Sequence, residues 1–246
     1  MKSALYAEIQ KAKHRHDLEI IVAIGILVMI LSVGSGETDS ASGYSAFFYT
    51  IPIIQTLVMS TSMAVLASRV WDVETKGNTC KLLFTLQTRS SLYWTKAILG
   101  IIEIVIISLL ECVAVWGIGL LRNYTDTLDV QRLLLLFFSS TVISLMLFLF
   151  SLLLSICFPT QVPVLAMGLM GSLFGLFSAF FPRVLIYFVP WGYYMPLSTM
   201  ALKWNEVTRE TKYIPQDFSG SVLPIAVLIM VICIALGKYF VDKREV

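Results

Sequence analysis

From Leu133 to Phe158 the chain reads LLLLFFSSTVISLMLFLFSLLLSICF, 26 residues without a charge. Coiled as a helix, such a run is about 39 Å long, enough to cross the roughly 30 Å hydrocarbon core of a bilayer. Five further apolar runs, bounded by polar residues, accompany it. Together they predict six spans near 18–34, 44–67, 95–121, 132–158, 161–181 and 222–240. Only 14% of the residues are charged and the mean hydropathy is +0.82. A soluble domain carries about a quarter charged residues, so this surface is not one that faces water on all sides. The expectation is an all-α integral membrane protein, with residues 1–246 forming a single transmembrane domain. A length of 246 residues allows roughly six or seven spans at about 20 residues each. No soluble domain of ordinary size fits in what remains.

The first span is short, and small residues follow it. Its 17 preceding residues are longer and more acidic than the leading segment of a secretory signal, so cleavage is not expected. Lysine and arginine set the orientation. Twelve lie at the N-terminus, between spans two and three, or after span six, and six lie on the other side. Both termini are therefore expected in the cytoplasm.

Several features stand out against this greasy background. Span three carries Glu103 and Glu111, eight residues apart. A carboxylate inside a membrane turns inward or is protonated, and by default marks a pathway or an internal partner. Glu111 is read near mid-span and Glu103 nearer the inner end, within reach of Lys96. Span five carries small residues at helical spacing. Gly171 and Gly175 form a GxxxG continued by Ala179, which lets another helix approach closely, within the chain or across a dimer seam. Residues 182–204 crowd Tyr187, Phe188, Trp191, Tyr193 and Tyr194 among three prolines. Aromatics at this density belong at the headgroup level, and the prolines predict one or two short helices dipping into the outer leaflet. The polar run after them reads as a solvated outer loop. Leu5, Ile9, Ala12 and His16 follow helical spacing with basic residues on other faces, the pattern of a helix lying in the membrane interface.

The remaining anomaly is Ser68 to Lys96, SRVWDVETKGNTCKLLFTLQTRSSLYWTK, a polar and helix-like stretch between two apolar spans. Its pattern fits a short amphipathic helix that docks on a membrane or a partner, or a plain connecting loop. No P-loop, G-x-S-x-G or H-E-x-x-H motif is present, and no metal-ligand spacing links the four cysteines. An enzyme and a metal site are not expected.

The order Glu74–Gly77–Thr79, then Leu82-Leu83, Thr85-Leu86, Arg89 and Lys96, resembles the segment between spans two and three of ABC type-2 permeases. More closely it is similar to the lantibiotic-immunity permeases of Gram-positive bacteria. The N-terminal YAEIQKAKHR and the six-span layout fit the same resemblance, which covers the whole chain but is specific only over 68–96. It implies an ABC type-2 exporter permease fold: an N-terminal interfacial helix, a cytoplasmic coupling helix seated in a separate ATPase, and outer re-entrant helices. Glu74, Gly77, Thr79, Leu83 and Arg89 would be the residues that couple to the ATPase. It further implies two ATPase copies holding ATP and magnesium, a second permease (identical or a sister), a bacterial cell membrane, and a lantibiotic or other antimicrobial peptide as cargo. Other amphipathic cargo, such as bacitracin, a drug or a lipid-linked molecule, is the alternative. A membrane scaffold or sensor is the reading from a different class.

Overall fold

The structure, a computed structural model, describes residues 2–35, 42–76, 88–205 and 210–243. In chain order the elements are α1 (Lys2–His14), α2 (Asp17–Ser35), α3 (Gly43–Lys76), α4 (Arg89–Leu121), α5 (Val130–Cys157), α6 (Val162–Phe177) and α7 (Arg183–Ile186). Short 3-10 turns at Pro190–Gly192 and Met195–Leu197 follow, then β1 (Met200–Asn205), β2 (Glu210–Pro215) and α8 (Leu223–Lys243). Among the described residues six helices are long and apolar enough to cross a membrane: α2, α3, α4, α5, α6 and α8. The protein is a multi-pass, helical membrane protein.

The spans agree with the sequence at their apolar centres and differ at their ends. α3 does not stop near residue 67 but runs on through Ser68 to Lys76, and α4 begins at Arg89. Residues 68–76 and 89–96 of the polar stretch are thus the ends of two long helices, and the short coupling helix expected between them falls on residues 77–87, outside the described residues. Thr88 caps α4 by accepting from the Ser91 amide at 3.4 Å. At the outer end, Asp126 accepts from the backbone amides of Tyr44 and Ser45 at 3.2 and 3.0 Å, satisfying amides that the first turn of α3 leaves without partners. α3 is the central helix, packed along α2, α5 and α6, while α8 lies against α5. The core runs through Met59, Met63, Tyr93, Ile143, Phe148 and Tyr194. Side chains such as Ile26, Ile30, Leu109, Val113, Leu228 and Val231 stay exposed, as a lipid-facing surface requires.

The outer segment makes short helical turns over residues 183–197, one α-helical and two 3-10, as its prolines predict. The difference is that its end, β1, pairs with β2 of the polar run in a two-stranded antiparallel ribbon where a loop is expected. Tyr187 and Phe188 are exposed, whereas Tyr193 and Tyr194 are buried against the bundle. Proline explains one docking point. Pro52 lacks an amide, which leaves the Phe48 carbonyl one turn earlier without its helical donor. Ser198 of the outer segment donates to that carbonyl at 3.2 Å.

The glycine face of α6 is filled from within the chain. A Cβ at Gly171 would strike the Trp191 ring, and one at Gly175 would lie 2.8 Å from the Trp191 carbonyl carbon and 3.0 Å from the Gly192 nitrogen. The GxxxG is the seat of the outer segment, whereas Ala179 is exposed beyond it.

Candidate functional site

The inner ends of α3 and α4 carry a buried ion cluster that the sequence reading did not assemble. Lys96 on α4 has no solvent exposure. Its ammonium donates to the Val70 carbonyl at 2.7 Å and to Glu74 Oε1 at 3.1 Å, and reaches Glu8 Oε2 at 3.5 Å. Lys11 on α1 bonds the same two carboxylates, Glu74 at 2.8 Å and Glu8 at 2.9 Å. Two acids and two bases from three helices therefore share one site, with the Trp71 ring 6.0 Å from the Lys96 ammonium. A buried charge is tolerable only when paired and hydrogen-bonded, and here each charge is.

The Lys11 ammonium shows the balance. Burial pushes its pKa down, but the hydrogen bonds it donates to Glu74 and then Glu8 outweigh that and hold it above the ordinary value of 10.5.

This cluster corrects two expectations. Glu74 does not face outward towards a partner; it is 1% exposed and fixed inside the chain. Lys96 does not pair with Glu103, because two nearer carboxylates take it. α1 is corrected as well. It ends at His14, and its buried side is the charged one, with Glu8 at 2% exposure while Tyr6 and Ile9 are exposed. His16 lies in the left-handed corner that turns the chain into α2. The missing signal was pairing between residues up to 88 positions apart, which hydropathy along the chain does not register.

Arg89 bonds the Asp242 carbonyl at 2.6 Å, fastening the start of α4 to the end of α8. Residues 77–87, with Gly77, Thr79 and Leu83, lie outside the described residues, but both of their attachment points are clear. The segment leaves α3 two residues after Glu74 and enters α4 through Thr88.

One turn above the cluster lies a second one. Arg15 bonds Asp17 at 2.6 Å, and Arg69 on α3 bonds the Arg15 carbonyl at 2.6 Å and approaches Asp17 at 3.6 Å. Glu103 is buried within electrostatic reach of all three.

Glu111 belongs to a separate network in the outer half of the bundle, about 15 Å from the outer end of α4. It accepts from Gln55 at 2.7 Å and Ser140 at 3.0 Å. Ser144, one turn further along α5, bonds the Tyr194 hydroxyl at 2.8 Å. Burial pushes the Tyr194 hydroxyl far above its ordinary range, so it stays protonated. Polar side chains thus link the interior of the bundle to the outer segment. Beside that segment a groove of about 640 Å³ opens between α3, the end of α6 and β1, lined by residues such as Pro52, Ile53, Phe177, Phe180, Met195 and Leu202.

A family model described as ABC-2 family transporter protein matches residues 4–178. Among curated proteins no match was found.

Proposed function

Because the chain belongs to the ABC-2 family of transporter proteins, and is therefore a membrane subunit of transport and not a catalytic one, we propose that it is the permease of an exporter. Its cargo is an antimicrobial peptide of the lantibiotic kind, removed from a bacterial cell membrane to give immunity or resistance. The work comes from a separate ATPase, which holds the ATP and magnesium. Two ATPase copies serve two permeases, the second being identical or a sister chain.

The observation that carries the coupling is the buried Glu8–Lys11–Glu74–Lys96 cluster at the root of the 77–87 segment. A motor gripping that segment pulls on α3 and α4 together, and through Glu8 on α1. Two long helices of 34 and 33 residues carry the movement as rigid rods to the Gln55–Glu111–Ser140 network and the outer segment. In this mechanism Glu74 is a positioning residue, while Gly77, Thr79 and Leu83 supply the contact with the motor. The outer groove offers an apolar surface to an amphipathic molecule in the outer leaflet. The peptide cargo itself is supported by the likeness of residues 68–96 to lantibiotic-immunity permeases.

The test is co-expression with an ABC ATPase and reconstitution into vesicles. A lantibiotic should stimulate ATP hydrolysis, and Gly77→Pro should abolish both stimulation and resistance while the chain is still made. Stimulation by bacitracin or a lipid-linked molecule alone would move the cargo to the other amphipathic class. Hydrolysis indifferent to every amphiphile would favour a scaffold or sensor.

A further inference from the structure

The two inner ion clusters are built alike and finished differently. The lower one holds Glu8, Lys11, Glu74 and Lys96, two acids and two bases, all bonded. The upper one also holds two acids and two bases: Arg15, Asp17, Arg69 and Glu103. Here three members are bonded to one another and the fourth is not. Glu103 is 4% exposed, and neither carboxylate oxygen has a hydrogen-bond partner among the described residues. Arg69 Nε is likewise buried without a partner, as are Arg15 Nη1 and Asp17 Oδ1; of the two arginines only Arg69 stands on a long helix that leads to the 77–87 segment. An unbonded acceptor on α4 and an unbonded donor of opposite charge on α3 thus lie within electrostatic reach of each other.

A carboxylate with only a packing role would not remain in this form. Burying it without a partner is costly, and an apolar residue of similar size would fill the space at no such cost. The geometry of arginine offers the explanation. Its guanidinium is a planar fork with five donors. Arg69 uses Nη2 to hold the Arg15 carbonyl, which leaves its Nε edge available. Arg69 lies seven residues before Lys76, so about 10 Å of rigid helix separates it from the 77–87 segment. Any rotation or slide of α3 against α4 moves that fork relative to Glu103.

We infer that Glu103 is a positioning residue that accepts Arg69 in the second, nucleotide-driven state of the transporter. The inference rests on the ATPase-coupled reading above. In the resting arrangement the upper cluster is incompletely bonded, and Glu103 is its one member with no bond at all among the described residues. When the motor displaces α3, Arg69 Nε donates to Glu103 and the fourth charge is paired. The lower cluster keeps α1, α3 and α4 together throughout, and the upper one distinguishes the two states.

The experiment uses the full chain in complex with its ATPase in lipid nanodiscs. It reads Tm without nucleotide, Tm with ATP and vanadate, and the rate of ATP turnover. Glu103→Gln should leave the nucleotide-free Tm unchanged or higher, because the carboxylate makes no bond there. The same variant should shrink the vanadate-induced rise in Tm and lower turnover roughly tenfold, the weight of one charge-assisted hydrogen bond. Arg69→Lys, which keeps the charge and loses the fork, should shrink that rise too, and adding Glu103→Gln to it should change little more. A fall in the nucleotide-free Tm of Glu103→Gln would overturn the inference, since it would place the bond in the resting state. So would a wild-type vanadate response in that variant, or additive effects of the two substitutions. A wild-type complex with no nucleotide response at all would remove the ATPase-coupled reading first, and the latch with it.

Discussion

At Lys96 an ammonium group with no exposure to solvent is held by two carboxylates and a carbonyl. Removing it takes one of two lysine partners from the buried carboxylates of Glu8 and Glu74. Breaking a buried ion pair from one side costs about 3–5 kcal/mol, so Lys96→Met should lower the thermal stability of the detergent-purified protein steeply. Glu74→Gln added to Lys96→Met should recover part of the loss, because a neutral amide no longer needs the cation. If Lys96→Met unfolds at the wild-type temperature, the cluster is not what joins α1, α3 and α4. Lys11 makes a separate, pH-dependent contribution. Its folded pKa is raised by Glu74 and Glu8, so the stability it adds is fully present below its unfolded value and is lost as pH rises through the higher folded one. The protection factors of the α1 amides, exchange rates divided into their intrinsic values at each pH, should therefore be flat from about pH 6 to 10 and fall only above about 10.5. Loosening near pH 7 would contradict the pairing.

Among the elements, α6 shows how local sequence leaves a partner undecided. Its GxxxG announces close approach, but nothing in the motif says whether the neighbour is another subunit or the same chain. The neighbour is Trp191, brought back by a proline-rich segment whose own aromatics read as interfacial. The consequence is testable by comparison of two glycines. A Cβ at Gly175 meets backbone atoms that cannot step aside, whereas one at Gly117 in α4 meets nothing within 4 Å. Gly175→Ala should destabilise by about 1–3 kcal/mol as an overpacked site. Gly117→Ala should be neutral or gain about 1 kcal/mol from helix propensity. Thermal unfolding of the two single variants decides the matter, and equal effects would refute the packing. The six spans were legible from the sequence because each apolar run carries its own desolvation signal, independent of the rest of the chain. The ends of α3 and α4 were not, because residues 68–76 and 89–96 look polar until Glu8 and Lys11 are placed beside them. The ribbon was hidden for a related reason. Its strands are short and charged, and β1 pairs with β2 across residues that read as loop. Of the residues read as sites, Glu103, Glu111 and Glu74 were recognisable as anomalies, but their partners on other helices were not.

At the scale of the whole molecule, the arrangement of charge decides which side a motor can reach. Six crossings place α1 and the end of α8 on one side, together with the Glu8–Lys96 cluster and the 77–87 segment. That side holds twelve of the eighteen lysine and arginine residues, and the charge bias predicts that it is the cytoplasmic one. Labelling tests this with two exposed positions on opposite faces, Lys13 on α1 and Thr127 in the loop between α4 and α5. In a cysteine-free background and intact cells, Thr127→Cys should react with a membrane-impermeant maleimide. Lys13→Cys should react only after the cells are permeabilised. The reverse pattern would put the buried cluster and the segment it anchors outside the cell, beyond any source of ATP. The six helices and their packing would stand unchanged, but a force applied at the inner face would then meet the β-ribbon and the Thr127 loop, which Asp126 ties to the first turn of α3 but which lies at the opposite end of the bundle from α1. The orientation is therefore a condition of the mechanism, because only the cytoplasmic placement lets one contact move α1, α3 and α4 as a unit.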